Sequence, residues 1–307
     1  MRSGGAVGHV VRCGSYRLSC DGLFRGGRPA LRPSANRRAE VLIVLNTLIQ
    51  FAAAGVLAGV TAGMFGVGGG LVLVPALFVM LVNRVPAENL TQYVIATSLA
   101  AIVFSAASSA FCHWRRGAVD THQWLRLIPA LIAGSAAGAF GAAYASRALL
   151  LGYVAVLQVV MCVYLVRKTF FASTLTASGS PSRVVISAIG TLCVAAGIGI
   201  GALTVPYLRR HNLAPHVAVG TAAALGIPVA IVGTAVLVIS GFALTGVAPW
   251  TVGFVCLPAL AGLAPGVVLG AQAGAAAAHR CSPRVLMSLF CLFLAIVSLR
   301  SIAVLVT

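Results

Sequence analysis

Apolar residues come along this chain in runs separated by short polar or basic connectors. The runs fall near residues 41–62, 68–82, 94–111, 125–145, 148–166, 184–197, 198–208, 217–240, 250–270 and 285–306. At 1.5 Å per residue, the runs at 41–62, 125–145, 217–240, 250–270 and 285–306 are long enough as helices to cross a hydrocarbon core of about 30 Å. The runs 68–82 and 198–208 are not, since the longer of them reaches only roughly 22 Å. Both begin in glycines, so the pattern predicts broken or re-entrant helices there rather than simple crossings.

The two short runs are copies of one another. GVGGGLVLVP (66–75) and GIGIGALTVP (197–206) align over ten residues without a gap, with glycine matched at three positions and Val-Pro at the end. After each come a basic or polar connector with a proline (Pro86; Pro215) and an apolar helix that opens on a small-residue and threonine pair, Ala96-Thr97-Ser98 and Gly220-Thr221-Ala222. The same punctuation twice is an internal repeat. If both short elements cross, each half holds five segments, and an odd number makes the halves antiparallel. The expected fold is therefore an all-α polytopic membrane protein of two inverted repeats. The first covers residues 41–166, the second 184–307, and a basic linker, 167–183, joins them.

Composition agrees: of 307 residues, 60% are hydrophobic and 8% charged, and mean hydropathy is +1.03, outside the range of soluble domains. Asp21, Glu40, Glu88 and Asp120 are all the carboxylates, and none falls inside an apolar run. The net charge of +17 is not the footprint of a nucleic-acid binder, because its basic residues sit in connectors and the amino-terminal tail. Placing connectors 112–126, 167–183, 209–216 and 279–284 on one side collects Arg115, Arg116, Arg126, Arg167, Lys168, Arg183, Arg209, Arg210, Arg280 and Arg284, against Arg84 and Arg147 opposite. That bias puts the first set in the cytoplasm and Val41 outside.

Residues 1–40 carry eight arginines and seven glycines and no apolar run. They read as a disordered tail, an Arg-rich targeting segment, or sequence upstream of a mis-called start. The eight cysteines form no C-x-x-C pair, and at least four lie in apolar runs as small buried hydrophobes. His113, His122, His211, His216 and His279 fall in connectors, and Trp114, Trp124 and Trp250 beside them read as interfacial anchors. Asn46 and Gln50, one turn apart in the first run, are expected to make an interhelical hydrogen bond.

The duplicated glycines carry the candidate chemistry. Helix starts expose N–H groups and the positive end of the helix dipole, and glycine leaves them uncovered. Two such starts facing one another make an anion site without an intramembrane arginine, as in secondary transporters, whose substrates sit near the midplane at a repeat interface. The candidate site residues are Gly66, Gly68, Gly69, Gly70, Gly197, Gly199 and Gly201, with hydroxyls from Thr97, Ser98, Thr204 and Thr221. Pro75 and Pro206 are expected to break the two helices after about one and a half turns. Gly134, Gly138, Gly141, Gly262, Gly266 and Gly270 are read as packing glycines instead.

The stretches GVTAGMFGVGGGLVLVPAL and GIGIGALTVPYLRRHNLAPHVAVGTAAALGIPVAIVGT make the chain resemble the TauE/SafE family of sulfite exporter-like permeases over most of residues 41–307. The resemblance implies a multi-pass inner-membrane carrier of small anions such as sulfite, sulfoacetate or related organic acids, embedded in the lipid bilayer. Ile200 departs from the first half, where Gly69 stands, which implies a tighter second arm. The reading from a different class is a non-transporting membrane partner that helps assemble another complex. An intramembrane enzyme has no nucleophile or base constellation to use. No cofactor is implied. A coupling ion is left open, because Na⁺ held by carbonyls and threonine leaves little trace in sequence.

Overall fold

The computed structural model describes residues 34–66, 68–82, 84–170, 179–244 and 250–277. Residues 1–33, linker residues 171–178 and the run at 285–306 lie outside them. The helices are α1 (Ser34–Phe65), α2 (Gly70–Leu81), α3 (Leu90–Trp114), α4 (Thr121–Tyr144), α5 (Arg147–Phe170), α6 (Arg183–Ala195), α7 (Gly201–Arg210), α8 (Pro215–Leu244) and α9 (Leu257–Ala277). Five described helices are long and apolar enough to cross a membrane: α1 from Leu45, α3, α4, α8 and α9. The protein is a helical, multi-pass membrane protein.

Several boundaries differ from the apolar runs. Helix α1 starts at Ser34, ahead of the run at 41, because hydropathy marks where lipid begins and not where the backbone begins to coil. The run at 250–270 is not one span. Its first residues form a hairpin of β1 (Thr251–Val252) and β2 (Val255–Cys256), and α9 follows. Left-handed backbone at Trp250 and Gly253 turns the chain there, where hydropathy alone saw continuity. Pro75 and Pro206 break nothing: α2 runs on to Leu81 and α7 to Arg210. Each is the sixth residue of its helix, so it removes one early rung of the ladder without ending it.

Close backbone packing ties the bundle together. Helix α1 lies along α9, and α6 lies along α4. A Cβ on Gly59 would strike the Val267 carbonyl, and one on Gly270 the Val56 carbonyl; Gly55, Gly63, Gly262, Gly266 and Gly274 continue the seam. In the second pair, Gly134 meets Ser187 and Gly138 meets Thr191 backbone to backbone. Thr191 Oγ1 also donates to the Gly134 carbonyl at 3.0 Å. Small residues let helices approach where lipid offers no hydrophobic drive for association. Gly141, expected in this role, has no described atom within 4 Å of where its Cβ would stand. Asn46 and Gln50 are exposed on α1 rather than turned to a neighbouring helix.

Central helix α3 packs on α1, α2, α8 and α9 and buries Tyr93, Ile95, Leu99 and Ile102 almost completely. Side-chain contacts sort the connectors into two ends. At one, Arg116 donates to the Ala275 carbonyl (3.2 Å), Tyr207 Oη accepts from Ser182 N (2.7 Å) and His211 Nδ1 lies 2.8 Å from the Gly179 carbonyl. At the other, Arg84 reaches Thr47 Oγ1 (3.3 Å) and Gln92 donates to the Ala145 carbonyl (3.3 Å). His113 is not in a connector but buried in the last turn of α3.

Leucine at Gly59 or at Gly270 is expected to cost about 3 kcal/mol or more, because the crowding atom in each case is backbone. Gly226→Ala in α8, whose new Cβ would meet Ala106 Cβ at an ordinary 3.4 Å, is expected to be tolerated. Melting curves of the detergent-solubilised variants check both; an unchanged melting temperature for Gly59→Leu would contradict the seam.

Candidate functional site

Helices α2 and α7 each start inside the bundle, on backbone that glycine makes accessible. Gly66, Gly68 and Gly69 have φ of 66°, 77° and 76°, and Gly197 has φ of 68°. These left-handed values favour glycine over any residue with a side chain. The first backbone bonds into α2 run from Val72 and Leu73 to the Gly69 carbonyl, and those into α7 from Leu203 and Thr204 to the Ile200 carbonyl. Helix geometry leaves the N–H groups ahead of them, at Gly70, Leu71, Gly201 and Ala202, outside the intrahelical ladder.

The two starts come from opposite ends and touch. The connector after α2 reaches Thr47, whereas Gly69 packs on the Ala58 carbonyl, eleven residues further along α1. That separation is about 16 Å, roughly half of a hydrocarbon core. From the other end α7, ten residues long, rises about 15 Å. Where they meet, a Cβ on Gly68 would stand 3.1 Å from Gly199 Cα, and one on Gly70 would stand 2.7 Å from the Gly197 carbonyl oxygen and 2.8 Å from Gly199 N. Glycine is required here by close approach as well as by φ.

The carbonyls of the two glycine turns are satisfied from α3. Ser98 Oγ donates to the Gly197 carbonyl at 2.9 Å, and Ser105 Oγ donates to the Gly68 carbonyl at 3.0 Å. Beside the contact lies a narrow cavity with about 250 Å³ of empty space counted out to its mouth. Gly66, Gly68, Gly199 and Gly201 line it, with Ala62, Ile102, Ala106, Ser109, Ile200, Ala222, Ala223 and Gly226. No lining residue is charged. Ile200 adopts a right-handed φ of −66° where its counterpart Gly69 is left-handed, and it is buried in the wall.

Not every predicted residue reaches the cavity. Gly69, Gly70 and Gly197 pack behind it, and Ser98 is committed to a carbonyl. Thr97 Oγ1 accepts from Cys256 N at 3.1 Å, and Thr221 Oγ1 accepts from Asp120 N at 3.0 Å. These two threonines therefore hold the chain just ahead of α9 and α4 and do not line the cavity. Thr204 is fully buried, its hydroxyl has no hydrogen-bond partner among the described residues, and it also lies outside the lining. Ser109 was missed. Its signal was a hydroxyl stripe: Ser98, Ser105 and Ser109, at i, i+7 and i+11, share one face of α3.

The sequence model for the sulfite exporter TauE/SafE family matches residues 51–301. The chain belongs to that family. It is also 30% identical over 248 residues to a protein of Haemophilus influenzae described as a probable membrane transporter protein, covering 80% of this chain and 94% of that one. No solved structure shows significant similarity to the chain. The TauE/SafE chain is thus a membrane transporter and not an enzyme, and the glycine contact with its cavity is the site to explain.

Thr221→Val is expected to lower stability by about 1 kcal/mol, the net worth of one hydrogen bond, and to leave the substrate KM unchanged. A raised KM without loss of melting temperature would return Thr221 to the list of ligands.

Proposed function

We propose that this chain is a secondary transporter of a small oxyanion, which binds where the starts of α2 and α7 meet. One observation carries the reading: two glycine-rich helix starts, entering from opposite ends, touch backbone to backbone beside a cavity without a charged side chain. Each start offers N–H groups and about half a positive charge from its helix dipole. Placed together they attract an anion, and no lysine or arginine has to be desolvated in lipid.

The inverted repeat is part of this proposal, with halves at 41–166 and 184–307. What supports it is that contacts come in matched pairs. Helix α1 with α9 corresponds to α6 with α4, and α3 with α9 corresponds to α8 with α4. Gly66 against Val219 corresponds to Gly197 against Ile95, and Thr97 on Cys256 to Thr221 on Asp120. Such a pseudo-twofold relation suits alternating access, in which one repeat rocks against the other around a fixed site.

The family description names sulfite, and on this reading the cargo is sulfite, an organosulfonate or a related small organic acid. The positive-inside rule orients the end that holds Arg116, Ser182 and His211 toward the cytoplasm of a cell whose inner membrane carries the protein.

Radiolabelled sulfite, sulfoacetate and sulfate are offered to proteoliposomes that hold the full chain, with and without an imposed potential. Saturable uptake of one anion is expected, and Gly226→Leu, which fills the cavity from a helix with room for a Cβ, is expected to abolish it while the protein remains folded. Absence of flux from folded wild-type protein, or full flux through Gly226→Leu, would overturn the proposal.

A further inference from the structure

The serines of α3 divide into those with a bonded hydroxyl and one without. Ser98 donates to Gly197, Ser105 to Gly68 and Ile102, and Ser108 to the Val268 carbonyl at 3.2 Å. Ser109 is 1% exposed, and its hydroxyl has no hydrogen-bond partner among the described residues. A helical serine ordinarily bonds back to a carbonyl one turn earlier, as Ser135 does to Leu131 at 2.6 Å. A buried hydroxyl that forgoes this option is costly to keep. It is also the one polar side chain among the described residues that line the cavity.

We infer that Ser109 is a ligand of the transported anion, its hydroxyl donating to an anion oxygen beside the amide groups of the two helix starts. The inference rests on the proposed oxyanion site and adds to it a side-chain contact that sets affinity. Alanine, glycine and isoleucine make up the rest of the wall and offer nothing but backbone. Ser109 thus supplies the directional contact that helix dipoles lack, and it selects for anions with an oxygen free to accept.

The matched contacts also give Ser109 a side. The correspondence of Thr97 with Thr221 sets Ser109 against Gly233 in α8. There the space is taken: a Cβ on Gly233 would stand 2.9 Å from Val194 Cγ1 and 3.0 Å from Leu99 Cδ1. The hydroxyl therefore serves a cavity on one side of the glycine contact, and Gly233, the matched position on the other, carries no donor side chain.

Ser109→Ala is tested for sulfite uptake in proteoliposomes of the full chain, alongside its melting curve. The expected result is a KM raised about tenfold, as for loss of a hydrogen bond to a charged group, with turnover at saturation and melting temperature retained. Ser109→Cys, with similar volume and a weaker donor, is expected to give an intermediate KM. A wild-type KM in Ser109→Ala overturns the assignment while leaving the amide site standing. A lowered melting temperature with unchanged KM makes the serine structural and overturns it too. Wild-type protein that takes up none of the anions overturns the oxyanion site and this inference with it.

Discussion

A hydrocarbon interior leaves no water to satisfy backbone polar groups, and in this protein two helices begin on buried glycine inside the bundle. Everything around α2 and α7 answers that constraint. Their turns cannot be shielded by bulky side chains, since the chains touch at Gly68, Gly70, Gly197 and Gly199. The exposed carbonyls are taken by Ser98 and Ser105 from the adjacent helix α3, which explains why so apolar a helix carries serines. Each bond of this kind fixes where the turn stands relative to α3, so satisfying the backbone also positions the site.

Such a contact needs a rigid surround, and the surround is built by the same residue used differently. Along α1 and α9 glycines replace side chains at every close approach, letting the two backbones interlock, and Gly134 and Gly138 do so between α4 and α6. These glycines serve proximity in regular helix. Those at 66, 68, 69 and 197 serve left-handed backbone as well. One residue type thus performs two jobs that composition cannot separate.

Much of the arrangement was legible in the sequence because it is written in spacing. The duplicated glycine stretch marked where helices start inside the bundle, and the lengths of the runs marked which helices are short. Prolines misled, since Pro75 and Pro206 were read by their reputation and not by their place in the first turns, where one lost rung is survivable. Hydropathy alone fused the hairpin at Thr251–Cys256 with α9, because Val252, Phe254 and Val255 are as apolar as any span. Thr97 and Thr221, paired by the sequence alignment and read as site hydroxyls, each accept a backbone N–H in the structure. Their neighbours Cys256 and Asp120 are 159 and 101 residues distant in the chain, a relation no local pattern carries.

The division of polar groups at the glycine contact bears on how a carrier releases its cargo. Side chains of α3 hold the carbonyls of both turns, whereas the first N–H groups of α2 and α7 stand outside the helical ladders. On the proposed reading the protein satisfies these acceptors itself and leaves donors ahead of each helix for the ligand, with Gly201 in the cavity wall. An anion is then held by amides, a hydroxyl and two fractional dipole charges, not by a full cationic partner. On that reading the anion meets no full cationic partner, which lets rocking of one repeat against the other release it on the far side. A buried arginine would have fixed the anion more tightly and made it harder to release.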